Sequence, residues 1–323
     1  MNIKNDITFI LTLKDRSEHT ENWIKENIYS NFNYLIADGS ISDENRNYFL
    51  KIQQPNINYK YFGKDETITH YLNKIYNAIR IVETKYVMLC DNDDYINPVG
   101  INKCISVLEN NIDYNCSGGT IFSIFENHDK NNYFNFPIPF LNNTKLHNID
   151  QKFNAFIETR SEYKYLYYSV FRREILEKIW KTIVSIEITD LFLVEMLYND
   201  LALYYGKYYN IGWNHYIRLM NTNKSGVNSY GTFYHKKIFF DNSYRTQLKK
   251  LNKFYSELYI KDEKVIEEYQ TTFYLWYFNN PPRIKKSIYR KFHGLIILFP
   301  LFKIKTCINA LNIFLFLKNK ISV

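Results

Sequence analysis

The chain reads as an α/β protein with a mostly parallel sheet flanked by helices and a helical C-terminal extension. Two observations predict this. The first third of the sequence alternates apolar runs of strand length with longer stretches of helical period, and 46% hydrophobic residues in 323 supply a large core. A third observation concerns chemistry: three of the strand-like runs stop at charged side chains, at the strand ends where such sheets bind ligands.

Residues 7–13, ITFILTL, form the first strand-like run, and residues 33–38, NYLIAD, and 57–62, INYKYF, form two more. The clearest helix spans 66–82, where Ile68, Tyr71, Leu72, Ile75, Ala78, Ile79 and Val82 make one apolar stripe. It feeds the strand 86–90. Asn97 and Pro98 then suit an N-cap and a first helical position, with Ile101, Cys104, Ile105 and Leu108 repeating at helical spacing. Parallel neighbours need crossover helices, so this order predicts a parallel sheet covered on both faces.

Further along, GGTIFSIF (118–125) reads as a strand and 126–165 as Asn-rich and irregular. EYKYLYYSVFRREILEKIW reads as a strand turning into a helix, and 189–200 as a helix or buried apolar segment. NHYIRLMNTNKSG closes the region as a polar loop, and the chain beyond 236 reads as helical. The expected division is a body over 1–235, a helical extension over 236–280 and a basic amphipathic tail over 281–323.

The net charge of +8 invites a nucleic-acid reading, but residues 281–323 hold nine Lys and Arg and no Asp or Glu. The body is therefore near neutral. Basic residues interleaved with GLIILFPLF and ALNIFLFL suit a segment on an anionic membrane surface better than nucleic acid. Each run falls short of the ~20 apolar residues a span requires. Cys90, Cys104, Cys116 and Cys307 form no C-x-x-C pair, which argues against zinc and for a reducing compartment. The N-terminal apolar run breaks at Lys14 and Asp15, so a cytosolic protein, peripheral on the inner face of the membrane, is expected.

The polar strand ends are Lys14, Asp15 and Arg16; Asp38, Gly39 and Ser40; and Asp91, Asn92, Asp93 and Asp94. In a parallel sheet they share one edge. Clustered carboxylates repel unless a cation neutralises them, and hard oxygen ligands suit Mg²⁺ or Mn²⁺, whose shells substrate phosphates often complete. An EF-hand fails here, because its sixth position is Ile96 and its twelfth Asn102. A nucleophilic-aspartate phosphatase would carry D-x-D on the first strand, where this chain has TLKDR.

TFILTLKDR, YLIADGS and YVMLCDNDD, followed by YYSVFRREILEKI and EITDLFLVEML, resemble the ordered landmarks of glycosyltransferase family 2 and its relatives of the GT-A nucleotide-sugar fold, over roughly residues 5–225. The resemblance implies a Rossmann-like GT-A sheet and a metal-dependent, inverting transfer of one sugar from a nucleotide diphosphate donor. A UDP-sugar is the favoured donor, and a glycan or lipid-linked glycan of cell-surface polysaccharide synthesis the acceptor. It implies that Asp38 contacts the nucleotide base and that Asp91 and Asp93 hold the metal, with Asp94 as an additional acid. Asp15 and Arg16 would line the nucleotide pocket, and Arg218 and Lys224 would approach the diphosphate.

The family's second acidic motif corresponds to EITDLFL, where Glu187 matches its Glu and Ile188 stands at the usual base. Asp190 is the first candidate base and Glu187 the second, with Asp190 as a plain helix cap the competing reading. The Gln-x-x-Arg-Trp pattern of processive relatives is absent. Two other functions compete: a nucleotidyl- or phosphotransfer enzyme, disfavoured because TLKDRSEH has no Gly, and a non-catalytic membrane-associated protein, suggested by Ile188.

Overall fold

A computed structural model describes residues 6–29, 31–125, 133–135, 148–161, 166–220 and 241–279. Its elements, in order, are β1 (Ile7–Leu13), α1 (Ser17–Asn27), β2 (Asn33–Asp38), α2 (Glu44–Phe49), β3 (Ile57–Tyr61), α3 (Ile68–Arg80), β4 (Tyr86–Asp91), β5 (Tyr95–Ile96) and α4 (Pro98–Asn110). There follow β6 (Tyr114–Phe125), β7 (Tyr133–Asn135), α5 (Ile149–Ser161), β8 (Val170–Arg172), α6 (Arg173–Ile186), α7 (Leu191–Tyr205) and β9 (Lys207–Met220), then α8 (Asn242–Tyr259) and α9 (Glu263–Asn279).

The sheet order is β3-β2-β1-β4-β8-β6-β9-β5, with β7 beside β6. The first four strands are mutually parallel, β8 runs antiparallel to β4 and β6, and β9 returns parallel to β6. Between β3 and β4 the chain jumps from the sheet edge across β2 and β1, so the winding reverses at the β1/β4 boundary. That reversal opens a crevice at the carboxyl ends of these strands. The predicted helix-flanked parallel sheet is present, and β8, β6, β9 and β5 extend it as a mixed sheet.

Side chains of β4 alternate between two apolar layers: Val87 and Leu89 join the layer under α3, α6 and α7, while Met88 and Cys90 join the layer under α1 and α4. Burial on both faces accounts for the unbroken apolar runs in the sequence. The sequence signals at 97 and 98 are borne out: Asn97 caps α4 by accepting from the Val99 N–H at 3.2 Å, with Pro98 in the first turn.

Two expectations need correction. Residues 149–161, expected to be irregular, form α5, because Phe153 and Phe156 bury against Tyr255 and Tyr259 of α8. A buried Arg160–Asp200 ion pair of 2.5 Å also ties α5 to α7. Residues 214–220, expected in a loop, complete β9. Their polarity is internal: the Asn214 side-chain amide donates to the Thr120 and Tyr216 carbonyls at 3.1 and 2.9 Å.

Helices α8 and α9 bury Tyr244, Leu251, Tyr255, Tyr259 and Ile266 in the layer that holds α5 and α7. Lys224 and the tail 281–323 lie outside the described residues. Among those described, no helix is long and apolar enough to cross a membrane.

Candidate active site

Strand register assembles the site. Leu13 pairs with Asp38 and Thr12 with Asp91, so the ends of β2, β1 and β4 lie side by side at the crevice. After β1 the backbone turns through two consecutive left-handed residues, Asp15 (φ 57°) and Arg16 (φ 59°). Such a conformation costs a non-glycine residue about 1–2 kcal/mol. Hydrogen bonds offset it: Asp15 Oδ1 accepts from the Ile41 and Ser42 N–H groups at 2.9 and 3.0 Å, and the Asp15 N–H donates to Ser40 Oγ at 2.8 Å.

Asp38 is fully buried. Its Oδ1 accepts from the Ser40 N–H (2.8 Å) and Ser40 Oγ (2.5 Å), and its Oδ2 accepts from the Tyr59 hydroxyl (2.7 Å). Asp38, Ser40 and Asp15 thus form one hydrogen-bonded chain along the edge. Beside it lies a buried ion pair that sequence reasoning missed. Lys74 Nζ donates to the Leu13 carbonyl at 2.6 Å and to Asp65. Burial pushes the Lys74 ammonium below its usual range and the Asp65 carboxyl above its own, each against the pull of its partner. Lys74 falls between Tyr71 and Ala78, inside the apolar stripe of α3, and that misplaced charge was the available signal. An open cavity of about 470 Å³ adjoins the pair, lined by Phe62, Asp65, His70, Asn73, Lys74 and Asn77.

At the end of β4, ligand oxygens of Asp91, Asp93 and Asp94 lie within 4.8 Å of one another. Two unit charges that far apart repel by about 3.5 kcal/mol at an effective dielectric of about 20. Burial, then the neighbouring Asp93, raises the Asp91 carboxyl, while Tyr168, Arg218 and Arg16 oppose the shift. Asp94 is 2% exposed and raised well above the carboxylate range, first by burial and next by Asp93. Its Oδ1 accepts from the Leu219 N–H at 2.8 Å, and its buried Oδ2 has no hydrogen-bond donor among the described residues. Hard oxygens, surplus negative charge and an unsatisfied buried acceptor fit a divalent cation such as Mg²⁺ or Mn²⁺.

Two guanidinium groups face the cluster. Arg16 Nη2 donates to Asp93 Oδ2 at 2.8 Å, and the Arg218 charge acts on both Asp91 and Asp94. Arg218 lies 5.2 Å over the ring of Tyr168, which stacks on Tyr216 at 4.4 Å and donates its hydroxyl to Asp91 Oδ2 at 2.5 Å. The Tyr216 hydroxyl accepts from the Asp91 N–H at 3.2 Å. Sequence reasoning missed both tyrosines, and nothing in the aromatic-rich stretch around Tyr168 marked it. His215 braces this layer: its Nδ1 accepts from the Gly119 N–H, which leaves the proton on Nε2 to donate to the Tyr168 carbonyl at 2.8 Å.

The candidate bases lie on a neighbouring element. Helix α6 begins beside the start of β4, where the Arg173 N–H donates to the Lys85 carbonyl. Its 14 residues lead into the turn 187–190, where the Thr189 and Asp190 N–H groups donate to Gln247 Oε1 of α8 at 2.7 and 2.9 Å. There Asp190 Oδ1 caps α7, accepting from the Phe192 and Leu193 N–H groups at 3.0 and 3.3 Å. The Glu187 side chain is 80% exposed and pairs with Lys250 at 3.2 Å. Ile188 is fully buried in the core.

A family model described as glycosyl transferase family 2 matches residues 18–180. No curated protein matches the chain. Among solved structures the chain is similar to S. aureus TarS 1–349, at 10% identity over 86% of this chain and 93% of that one, with a TM-score of 0.46. For TarS 1–349 in complex with UDP-GlcNAc the values are 13%, 78%, 72% and 0.47, and for its complex with UDP 12%, 86%, 93% and 0.48.

Proposed function

The chain belongs to glycosyl transferase family 2 and is a glycosyltransferase, and on that premise we propose that it moves one sugar, with inversion, from a nucleotide diphosphate donor, UDP-sugar favoured, to a glycan or lipid-linked glycan. The observation that carries the donor assignment is the Asp91, Asp93 and Asp94 cluster, with its unsatisfied buried oxygen, at the carboxyl edge where the sheet winding reverses. Phosphate-bearing ligands bind at such edges.

Asp91, Asp93 and Asp94 would hold Mn²⁺ or Mg²⁺, and a bound divalent cation supplies charge neutralisation to the donor diphosphate. Asp38, Asp15 and Arg16 line the nucleotide side, and Arg218 adds positive charge beside the leaving group. In the reaction an acceptor oxygen attacks the anomeric carbon. A carbon–oxygen bond forms on one face as the bond to the diphosphate breaks on the other, and the hydroxyl proton passes to a carboxylate. Asp190 is the first candidate for that base and Glu187 the second. The tail 281–323 would hold the enzyme to the inner face of an anionic membrane.

UDP release from UDP-sugars, measured with and without Mn²⁺, tests this reading. Wild type should turn over only with metal, and Asp93→Ala should lose at least two orders of magnitude, as expected when a group stabilising the reacting charge is removed. Full activity of Asp93→Ala would remove the metal assignment.

A further inference from the structure

Resting on that nucleotide-sugar reading, we infer that Arg16 is the internal counter-ion of Asp93: it yields that carboxylate to the divalent cation and then pairs with the donor diphosphate. Two buried atoms flanking Asp93 lack hydrogen-bond partners among the described residues, and they are of opposite kind. Arg16 Nε is an unsatisfied donor, and Asp94 Oδ2, on a residue 2% exposed, is an unsatisfied acceptor. A cation with a diphosphate supplies what each lacks, positive charge to the carboxylate and acceptor oxygens to the guanidinium.

The contact in place suits exchange. Arg16 meets Asp93 through Nη2 at 2.8 Å, with side-chain exposures of 15% and 9%, so the pair is shielded yet open on one side. Arginine favours two parallel bonds to a planar acceptor, and a phosphate offers them. The Arg16 backbone is held by the braced turn after β1, which leaves the side chain as the part free to move. Asp91, Asp93 and Asp94 face Arg16 and Arg218, so an arriving dication competes with a charge already there. By reciprocity, removing Arg16 must favour the cation.

The full-length protein supplies the test. Mn²⁺ binding without nucleotide is followed by the electron paramagnetic resonance of the free ion, and UDP binding at saturating Mn²⁺ by calorimetry. Arg16→Gly removes the guanidinium and relieves the left-handed backbone, and Arg16→Asn also tolerates that conformation, so neither should unfold the chain. Both should bind Mn²⁺ on the order of tenfold more tightly and UDP on the order of tenfold more weakly, whereas Arg16→Lys, which keeps the charge without the fork, should bind Mn²⁺ near wild type and UDP more weakly. Unchanged or weaker Mn²⁺ binding in both variants, while wild type binds both ligands, overturns the inference alone. Tighter Mn²⁺ binding with unchanged UDP affinity overturns the transfer of Arg16 to the diphosphate. A wild type that binds neither ligand overturns it together with the nucleotide-sugar reading.

Discussion

His215 is 1% exposed with both ring nitrogens engaged, and burial lowers its pKa from 6.5 to about 4. The unfolded chain therefore binds more protons between those values. Its contribution is complete above pH 6.5 and is lost as pH falls toward 4, about 3 kcal/mol across the window. In urea unfolding at pH 7.5 and pH 4.5, wild type should lose that increment and His215→Gln should lose markedly less. Equal losses would remove the assignment. Residues of this kind were poorly legible in the sequence. Asp91, Asp93 and Asp94 stood out because an apolar run ended on them, whereas His215, Tyr168 and Lys74 take their roles from the Tyr168 carbonyl, Asp91 and the Leu13 carbonyl of β1, partners 47, 77 and 61 positions away.

Helix α7 carries two readings of Asp190 that one pair of substitutions separates. As an N-cap its carboxylate satisfies two amide hydrogens, and loss of a cap costs about 1 kcal/mol. Asparagine caps as well as aspartate but accepts no proton. Asp190→Asn should keep the melting temperature and lose transfer by 10²–10⁴-fold, roughly the value of a general base, while Asp190→Ala should lose both. Transfer by Asp190→Asn at the wild-type rate would shift the role to Glu187. Elements with local signals, such as β1, β2, β4 and the Asn97–Pro98 start of α4, were readable from spacing alone. Helix α5 was not, since its aromatic residues gain meaning only against α8, and β9 hid its strand behind buried Asn214 and His215.

Charge is divided unevenly over the whole molecule, with nine basic and no acidic residues in 281–323 against a total of +8. If the tail holds a membrane, the full chain should sediment with vesicles containing anionic lipid at low salt and be released by raising the salt. Equal binding to neutral vesicles would point to apolar insertion alone. The sheet order itself lay beyond the sequence, because β8 and β6 enter between β4 and β9 through contacts no local pattern encodes. The alternation of β4 carries a different kind of consequence. By strand alternation Asp91 falls on the same face as Val87 and Leu89, the one under α3 and α6. One residue gained or lost in that strand would turn the carboxylate through the sheet and away from its neighbours. The length of β4 thus fixes the face on which the acidic cluster forms.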